Sequence, residues 1–230
     1  MRKLLIFLKE PVVGRVKTRL VPSIGQQGAC EVYRACVELT LERLSAWRSE
    51  TILCIDPPEA LERMRGSVGS SWTLWPQRGA DLGERLAAAT DRAFGEGAEQ
   101  VVVIGTDSPW LRHDDVLEAF DALQQADVVL GPTEDGGYYL MGLARRMPEI
   151  FDGVAWSTDA VYRQTAANAN ALRLTTWRLR MGYDVDRLKD VAQFVAEERD
   201  RGMRVPRGVE VIERIVQDAI EVSGRKRCRN

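Results

Sequence analysis

Short apolar runs alternate with amphipathic segments along almost all of the 230 residues. That alternation predicts an α/β fold with a mainly parallel, mixed sheet and helices on both faces. Two further observations support it. Residues Gln100–Ile104 contain Val-Val-Val-Ile, the unbroken apolar run of a parallel strand covered on both sides. No repeat, low-complexity block or Pro/Gly/Ser linker divides the chain, so one domain over 1–230 is expected, with C-terminal helices at about 188–222 packed on it.

In chain order, Lys3–Leu8 reads as a buried strand. From Ile24 to Trp47, Ala29, Tyr33, Val37, Leu41 and Leu44 recur at helical spacing and predict one long helix. Thr51–Ile55 is strand-like, Glu59–Arg65 a short helix and Trp72–Trp75 a short strand. Leu82–Phe94 is an Ala-rich helix with Asp81 as its N-cap. After the strand at Gln100–Ile104 come a helix at Asp114–Gln125, a strand at Asp127–Gly131, a turn at Glu134–Gly137 and a strand at Tyr138–Leu143. Helices are expected at Thr158–Asn168, Leu188–Arg201 and Val209–Val222, and a strand at Leu172–Trp177.

The formal charge of −2 hides an uneven distribution. Residues 1–21 carry Arg2, Lys3, Lys9, Arg15, Lys17 and Arg19 against Glu10 alone. Arg225, Lys226, Arg227 and Arg229 make the last six residues basic as well, so the long stretch between them is acidic. A local basic segment on an acidic body argues against nucleic-acid binding, which needs a broad basic face, and for a small anionic ligand. No apolar run is long enough for a membrane span, and the apolar stretch at residues 4–8 is too short for a signal peptide, so a cytoplasmic protein is expected. Cys30, Cys36, Cys54 and Cys228 contain no C-x-x-C and there is a single His, His113, which leaves the cysteines as small core residues.

In such sheets ligands bind beyond the carboxyl ends of the strands. Past the first strand lies Lys9-Glu-Pro-Val-Val-Gly14-Arg-Val-Lys17-Thr18-Arg19, which is neither a dinucleotide fingerprint nor a P-loop. It is either a solvated basic loop or a diphosphate cradle built of backbone N–H groups and cations. Past Val-Val-Val-Ile comes Gly105-Thr106-Asp107-Ser108-Pro109, where Asp107 could hold a hard divalent cation or simply serve a turn. Asp135-Gly136-Gly137-Tyr138-Tyr139 reads as a hairpin turn, as a close approach of ligand to backbone with a tyrosine surface, or both. In Asp184-Val-Asp186, one carboxylate is expected to cap the following helix, and one could complete a metal site with Asp107. In Trp156-Ser157-Thr158, Ser157 or Thr158 is a plausible N-cap.

Together and in order, these segments resemble the selenodomain-associated transferase family of the GT-A, nucleotide-diphospho-sugar transferase superfamily. The motifs are Lys9-x-Pro11-x-x-Gly14-x-x-Lys17-Thr18-Arg19-Leu20, Gln77-x-Gly79-x-Asp81-Leu82-Gly83-x-Arg85, Gly105 to Pro109, Gly131-Pro132 with Asp135 to Tyr138, and Asp184-x-Asp186. More distantly the chain looks like 2-phospho-lactate and molybdenum-cofactor guanylyltransferases. The resemblance implies a Rossmann-like GT-A domain that takes a nucleotide or nucleotide-sugar donor, a small-molecule acceptor and Mg²⁺ or Mn²⁺. It implies phosphate or nucleotide contacts for Lys9, Gly14, Lys17, Thr18, Arg19, Gly79, Asp81, Arg85, Thr106, Gly136 and Gly137, and metal ligation by Asp107 and Asp186. Lys17 would also act in catalysis.

Two reactions stay open. In sugar transfer a carboxylate, for which Asp135 is the candidate, deprotonates the acceptor hydroxyl. In nucleotidyl transfer an acceptor phosphate attacks a nucleoside triphosphate and no base is needed. A nucleotide-binding regulator without turnover is the third possibility.

Overall fold

Residues 2–9, with Leu4, Leu5 and Ile6 fully buried, form β1 (Arg2–Lys9), an inner strand of a seven-stranded sheet. The computed structural model describes residues 1–201 and 205–227, with side chains described as far as 219. Cys228 and Arg229, and the side chains of Arg225, Lys226 and Arg227, lie outside the described residues.

The chain divides into two compact units. The first comprises residues 1–10, 44–106 and 111–183, and holds the whole sheet. Its further strands are β2 (Thr51–Asp56), β3 (Thr73–Pro76), β4 (Gln100–Ile104), β5 (Val128–Pro132), β6 (Tyr138–Leu143) and β7 (Thr176–Arg178), in the order β3-β2-β1-β4-β6-β5-β7. All pairings are parallel except those of β6, which is antiparallel to β4 and β5. β1 lies between β2 and β4, so successive connections leave it in opposite directions and the strand order reverses there.

Alternation within the strands sends side chains to two faces. On one face Leu5, Ile52, Val101, Val103, Leu130 and Met141 pack with Leu86, Ala89 and Ala93 of α3 (Leu82–Gly95) and Ala169 of α5 (Val161–Ala171). On the other face lies α4 (His113–Ala122): a Cβ on Gly142 of β6 would stand 3.1 Å from Val129 and 3.2 Å from Leu123, which follows that helix. Between β2 and β3 runs α2 (Leu61–Val68). The β5–β6 hairpin expected from Asp-Gly-Gly is present, closed by Thr133 N–H to the Gly137 carbonyl at 3.0 Å.

The second unit comprises residues 11–43, 107–110 and 184–230. Its helices are α1 (Val21–Arg43), α6 (Leu188–Asp200) and α7 (Arg207–Arg227). Gly208 lets α7 approach α1 closely, since a Cβ there would meet Leu39 at 2.6 Å. Val209 and Ile212 of α7 are fully buried.

Several element boundaries differ from expectation. The helix expected over 24–47 is kinked at Gly25 and ends at Arg43, and Ser45–Trp47 is a separate 3-10 turn. Its apolar period continues past the break because Leu44 and Trp47 are buried in a different unit. The helix expected from Thr158 begins at Val161, after Ser157 adopts a left-handed φ of 64°. Thr158 Oγ accepts from Ala160 N–H, but no side chain caps α5 itself. The strand expected over 172–177 shrinks to Thr176–Arg178, because Leu172 to Leu174 close the end of α5.

Candidate functional site

Four of the expected ligand residues meet in the second unit. Gly14, at φ +81°, turns the first loop, and the Pro11 carbonyl of that loop accepts from the Cys30 thiol at 3.3 Å and from Arg34 at 3.3 Å, both on α1. Lys17 then adopts φ 46°, ψ 42°, a left-handed conformation costly for a residue with a side chain, at the head of the 3-10 turn Thr18–Leu20. The result is a side chain only 1% exposed, whose Nζ lies 2.5 Å from Asp107 Oδ1 and 3.0 Å from Asp186 Oδ1. Arg19 reaches the other oxygen of Asp186 at 2.8 Å from the exposed side. Thr18 is exposed beside it.

Burial by itself would lower the Lys17 ammonium. The negative charges of Asp107, first, and Asp186 outweigh that cost and hold the ammonium above its ordinary range, so Lys17 is a fixed cation. Cys36, buried on α1, has its thiol pushed up to about 12, mainly by burial, and stays neutral. It is a packing residue, as are the free, buried Cys30 and Cys54.

The Asp184-x-Asp186 spacing works differently from expectation. Neither residue caps α6: Asp190 accepts from Asp186 N–H at 3.2 Å and from Arg187 N–H at 2.7 Å. Asp184 instead accepts from the Ser108 hydroxyl at 2.7 Å, while Val185 N–H donates to the Asp107 carbonyl at 2.8 Å. Residues 184–186 therefore run beside 107–108. Burial first, then the neighbouring Asp107 charge, push the Asp184 carboxyl up to about 7. Sequence reasoning missed this role because nothing in an Asp-x-Asp pair says which member faces Ser108.

A divalent cation is compatible with this donor set. Asp107 and Asp186 offer hard carboxylate oxygens that already converge on one cationic nitrogen. Among the described residues no three His, Cys, Asp or Glu side chains gather to cage an ion. Two carboxylates completed by phosphate and water oxygens is the arrangement Mg²⁺ favours.

The remaining expected residues lie in the first unit. Lys9 ends β1 with its side chain exposed. Thr106, just past β4, is 2% exposed. Asp81 caps α3 by accepting from Glu84 N–H at 2.9 Å. Gly79 sits at φ +139°, and a Cβ there would meet Glu84 and the Arg85 backbone at 2.6–2.7 Å. Arg85 donates to the Gly79 carbonyl at 3.2 Å and pairs with Asp56, at the end of β2, at 3.0 Å. Asp56 was not singled out in the sequence, where it is one acid among 34 acidic residues.

Asp135 closes its own turn, accepting from Thr133 Oγ at 2.7 Å and Gly137 N–H at 3.2 Å. Gly136 has φ +88°, and a Cβ there would lie 2.1 Å from the Asp159 carbonyl oxygen. Its own carbonyl accepts from Tyr162 N–H at 2.8 Å. Tyr139 offers no open surface, and Tyr138 is partly buried against the core. Tyr139 is 4% exposed, with its hydroxyl donating to the Arg180 carbonyl at 3.3 Å, and burial raises the Tyr138 hydroxyl well above its ordinary range.

Comparison with known proteins agrees with this architecture. A family model described as "Uncharacterized protein conserved in bacteria (DUF2064)" matches residues 40–158. A Desulfovibrio desulfuricans protein assigned as a nucleotide-diphospho-sugar transferase superposes with a TM-score of 0.86 at 30% identity, over 95% of this chain and 97% of that one. A phosphoenolpyruvate guanylyltransferase of Chloroflexus aggregans is 28% identical over 64% of this chain and 71% of its own length. One from Sphaerobacter thermophilus is 24% identical over 77% and 86% respectively. A Leptospira borgpetersenii cytidylyltransferase, at 12% identity and TM-score 0.56, shares the fold. These relatives are transferases, and the chain takes its place among them as one. With just over half of its length matched by that model, the chain belongs to the DUF2064 family, and its fold is the Rossmann-like one of GT-A enzymes and nucleotidyltransferases.

Proposed function

We propose that this protein is a divalent-cation-dependent transferase of the nucleotide-diphospho-sugar type. The observation that carries the reading is the Lys17 ammonium held at 2.5 Å and 3.0 Å from two carboxylates, with Arg19 at 2.8 Å on the outer one. Fixed charges of both signs in one place suit a metal-bound diphosphate, with the carboxylates holding the cation, and with the metal, Lys17 and Arg19 neutralising the negative charge that develops as the bond to the leaving group breaks. Asp107 and Asp186 would hold Mg²⁺ or Mn²⁺, which supplies Lewis-acid stabilisation of the phosphate oxygens. Lys17 would turn its ammonium from the carboxylates to the diphosphate, and Arg19 would orient the same group from the solvent side. The likeness to the Desulfovibrio protein over 95% of the chain supports a sugar-type donor.

A second reading, transfer of a nucleotidyl group to a small phosphorylated acceptor, is favoured by a separate observation. The Asp135 carboxylate is engaged by Thr133 and Gly137 in its own turn, and a phosphate acceptor needs no base. The guanylyltransferase relatives support it as well. The cytoplasm is the compartment we assign to either activity, and no helix among the described residues is long and apolar enough to cross a membrane.

A thermal-shift screen of nucleoside triphosphates and nucleotide sugars, with and without Mg²⁺ or Mn²⁺, tests the common part. A metal-dependent rise in melting temperature is expected, and no rise for any ligand would remove both readings. Assays of the responding ligand then separate them, because sugar transfer releases nucleoside diphosphate and nucleotidyl transfer releases pyrophosphate. Binding without either product would leave a nucleotide-binding regulator.

A further inference from the structure

The second unit buries an ion pair that the chemistry above does not use. Arg43, the last residue of α1, has its side chain 7% exposed, and Glu198 of α6 is 2% exposed. They meet at 2.5 Å. The other arm of the guanidinium donates to the carbonyl of Pro109, two residues beyond Asp107, and the group lies 5.7 Å over the Phe194 ring. A buried pair of this kind is a poor source of net stability, because desolvating both charges cancels most of their attraction. Its particular property is geometric. A planar guanidinium holds a carboxylate and a carbonyl on two separate nitrogens in fixed directions, a geometry that an apolar pair lacks and that the single nitrogen of a lysine cannot copy.

The segment it grips carries the carboxylate. Residues 107–109 are held at Asp107 by Val185 N–H to its carbonyl at 2.8 Å, at Ser108 by the hydroxyl to Asp184 at 2.7 Å, and at Pro109 by Arg43. Proline has no N–H, so the Pro109 carbonyl is the only backbone hydrogen-bonding group of that residue. We propose that the Arg43–Glu198 pair is a positioning device that sets the Asp107 carboxylate through the Pro109 carbonyl. The proposal rests on the reading of Asp107 as a metal ligand only for its consequence on metal affinity. The positioning itself can be read without metal.

The test uses the full-length chain carrying both Arg43→Met and Glu198→Leu, an apolar pair of similar bulk that removes the charges together. Amide hydrogen exchange at Val185, Mn²⁺ affinity by electron paramagnetic resonance and the melting temperature are measured on the same samples. We expect a melting temperature close to that of the parent, Val185 exchange at least about 10-fold faster, and Mn²⁺ affinity about 10–100-fold weaker, the usual loss when a supporting residue of a metal ligand is removed. Parent-like Val185 exchange and Mn²⁺ affinity in this variant would overturn the proposal. Should the double variant fail to fold, Arg43→Lys decides by the same two readouts, because it keeps the charge and loses the planar fork whose two nitrogens reach Pro109 and Glu198 separately. Glu198→Gln, which still accepts from Arg43, is expected to restore most of both. If the parent chain binds no Mn²⁺, the metal reading fails by itself, and Val185 exchange alone judges the positioning role.

Discussion

The Lys17 ammonium and the Asp107 carboxylate stand 2.5 Å apart, the lysine side chain sealed from solvent and the aspartate 53% exposed. Across that distance the closed cation balances the charge of the open carboxylate. Lys17→Met removes that balance. It leaves Asp107 and Asp186 repelling each other, at a stability cost of about 1–3 kcal/mol, kept modest because water reaches Asp107. Transfer activity should fall by about 10²–10³, the loss typical of one fixed charge aimed at the transition state. Urea unfolding and steady-state kinetics measure the two losses. A stability loss with activity kept would confine Lys17 to the structure.

Asp107→Asn and Asp186→Asn should each raise the Mg²⁺ or Mn²⁺ concentration needed for half-maximal activity by at least about 10-fold, since an amide oxygen is a weaker ligand for a hard cation. Asp190→Ala is the control. Asp190 accepts from the backbone at the head of α6, so its loss should cost about 1 kcal/mol of stability. Titrations of activity against metal concentration compare the three. An unchanged requirement in both Asn variants rules out their ligand roles.

Stability should depend on pH through Asp184. Its carboxyl in the folded protein lies at about 7, above the ordinary value of 3.8, so the fold prefers the protonated form. Its stabilising contribution is therefore complete below about pH 4 and is lost as pH rises through about 7. Asp184→Asn fixes a neutral side chain that still accepts from Ser108. Melting temperatures of the two proteins should diverge as pH rises from about 4 to 8, with the parent falling relative to the variant. Parallel curves would show that Asp184 is ionised throughout.

The fold was more legible than the site. Val-Val-Val-Ile and the apolar periods of the helices depend on spacing along the chain, and spacing is what a sequence displays. That Lys17, Arg19, Asp107 and Asp186 come together was also legible, because each follows a strand or precedes a helix at the sheet edge where ligands are expected. Arg43 and Glu198 were not. They are 155 residues apart, each at a helical position where a charged residue is ordinarily solvated, and only packing makes them a pair. Asp81 and Asp135 illustrate the opposite limit, since a motif acid can be engaged by the backbone of its own turn or helix.

Gly136 tests how far the Asp135–Gly137 turn is a packing feature. A Cβ at Gly136 would lie 2.1 Å from the Asp159 carbonyl oxygen, and φ there is +88°. Gly136→Ala therefore carries both left-handed strain, about 1 kcal/mol, and a backbone collision that only moving the Asp159–Tyr162 segment relieves. Gly153 has φ +66° with nothing within 4 Å of the same position. Gly153→Ala thus measures the strain alone. We expect Gly136→Ala to lose at least about 2 kcal/mol and Gly153→Ala about 1 kcal/mol in urea unfolding. Equal losses would mean that the turn yields freely, leaving the glycine at 136 to be explained by close approach of a ligand. A larger loss at 136 with the variant still binding nucleotide assigns that glycine to packing against Asp159.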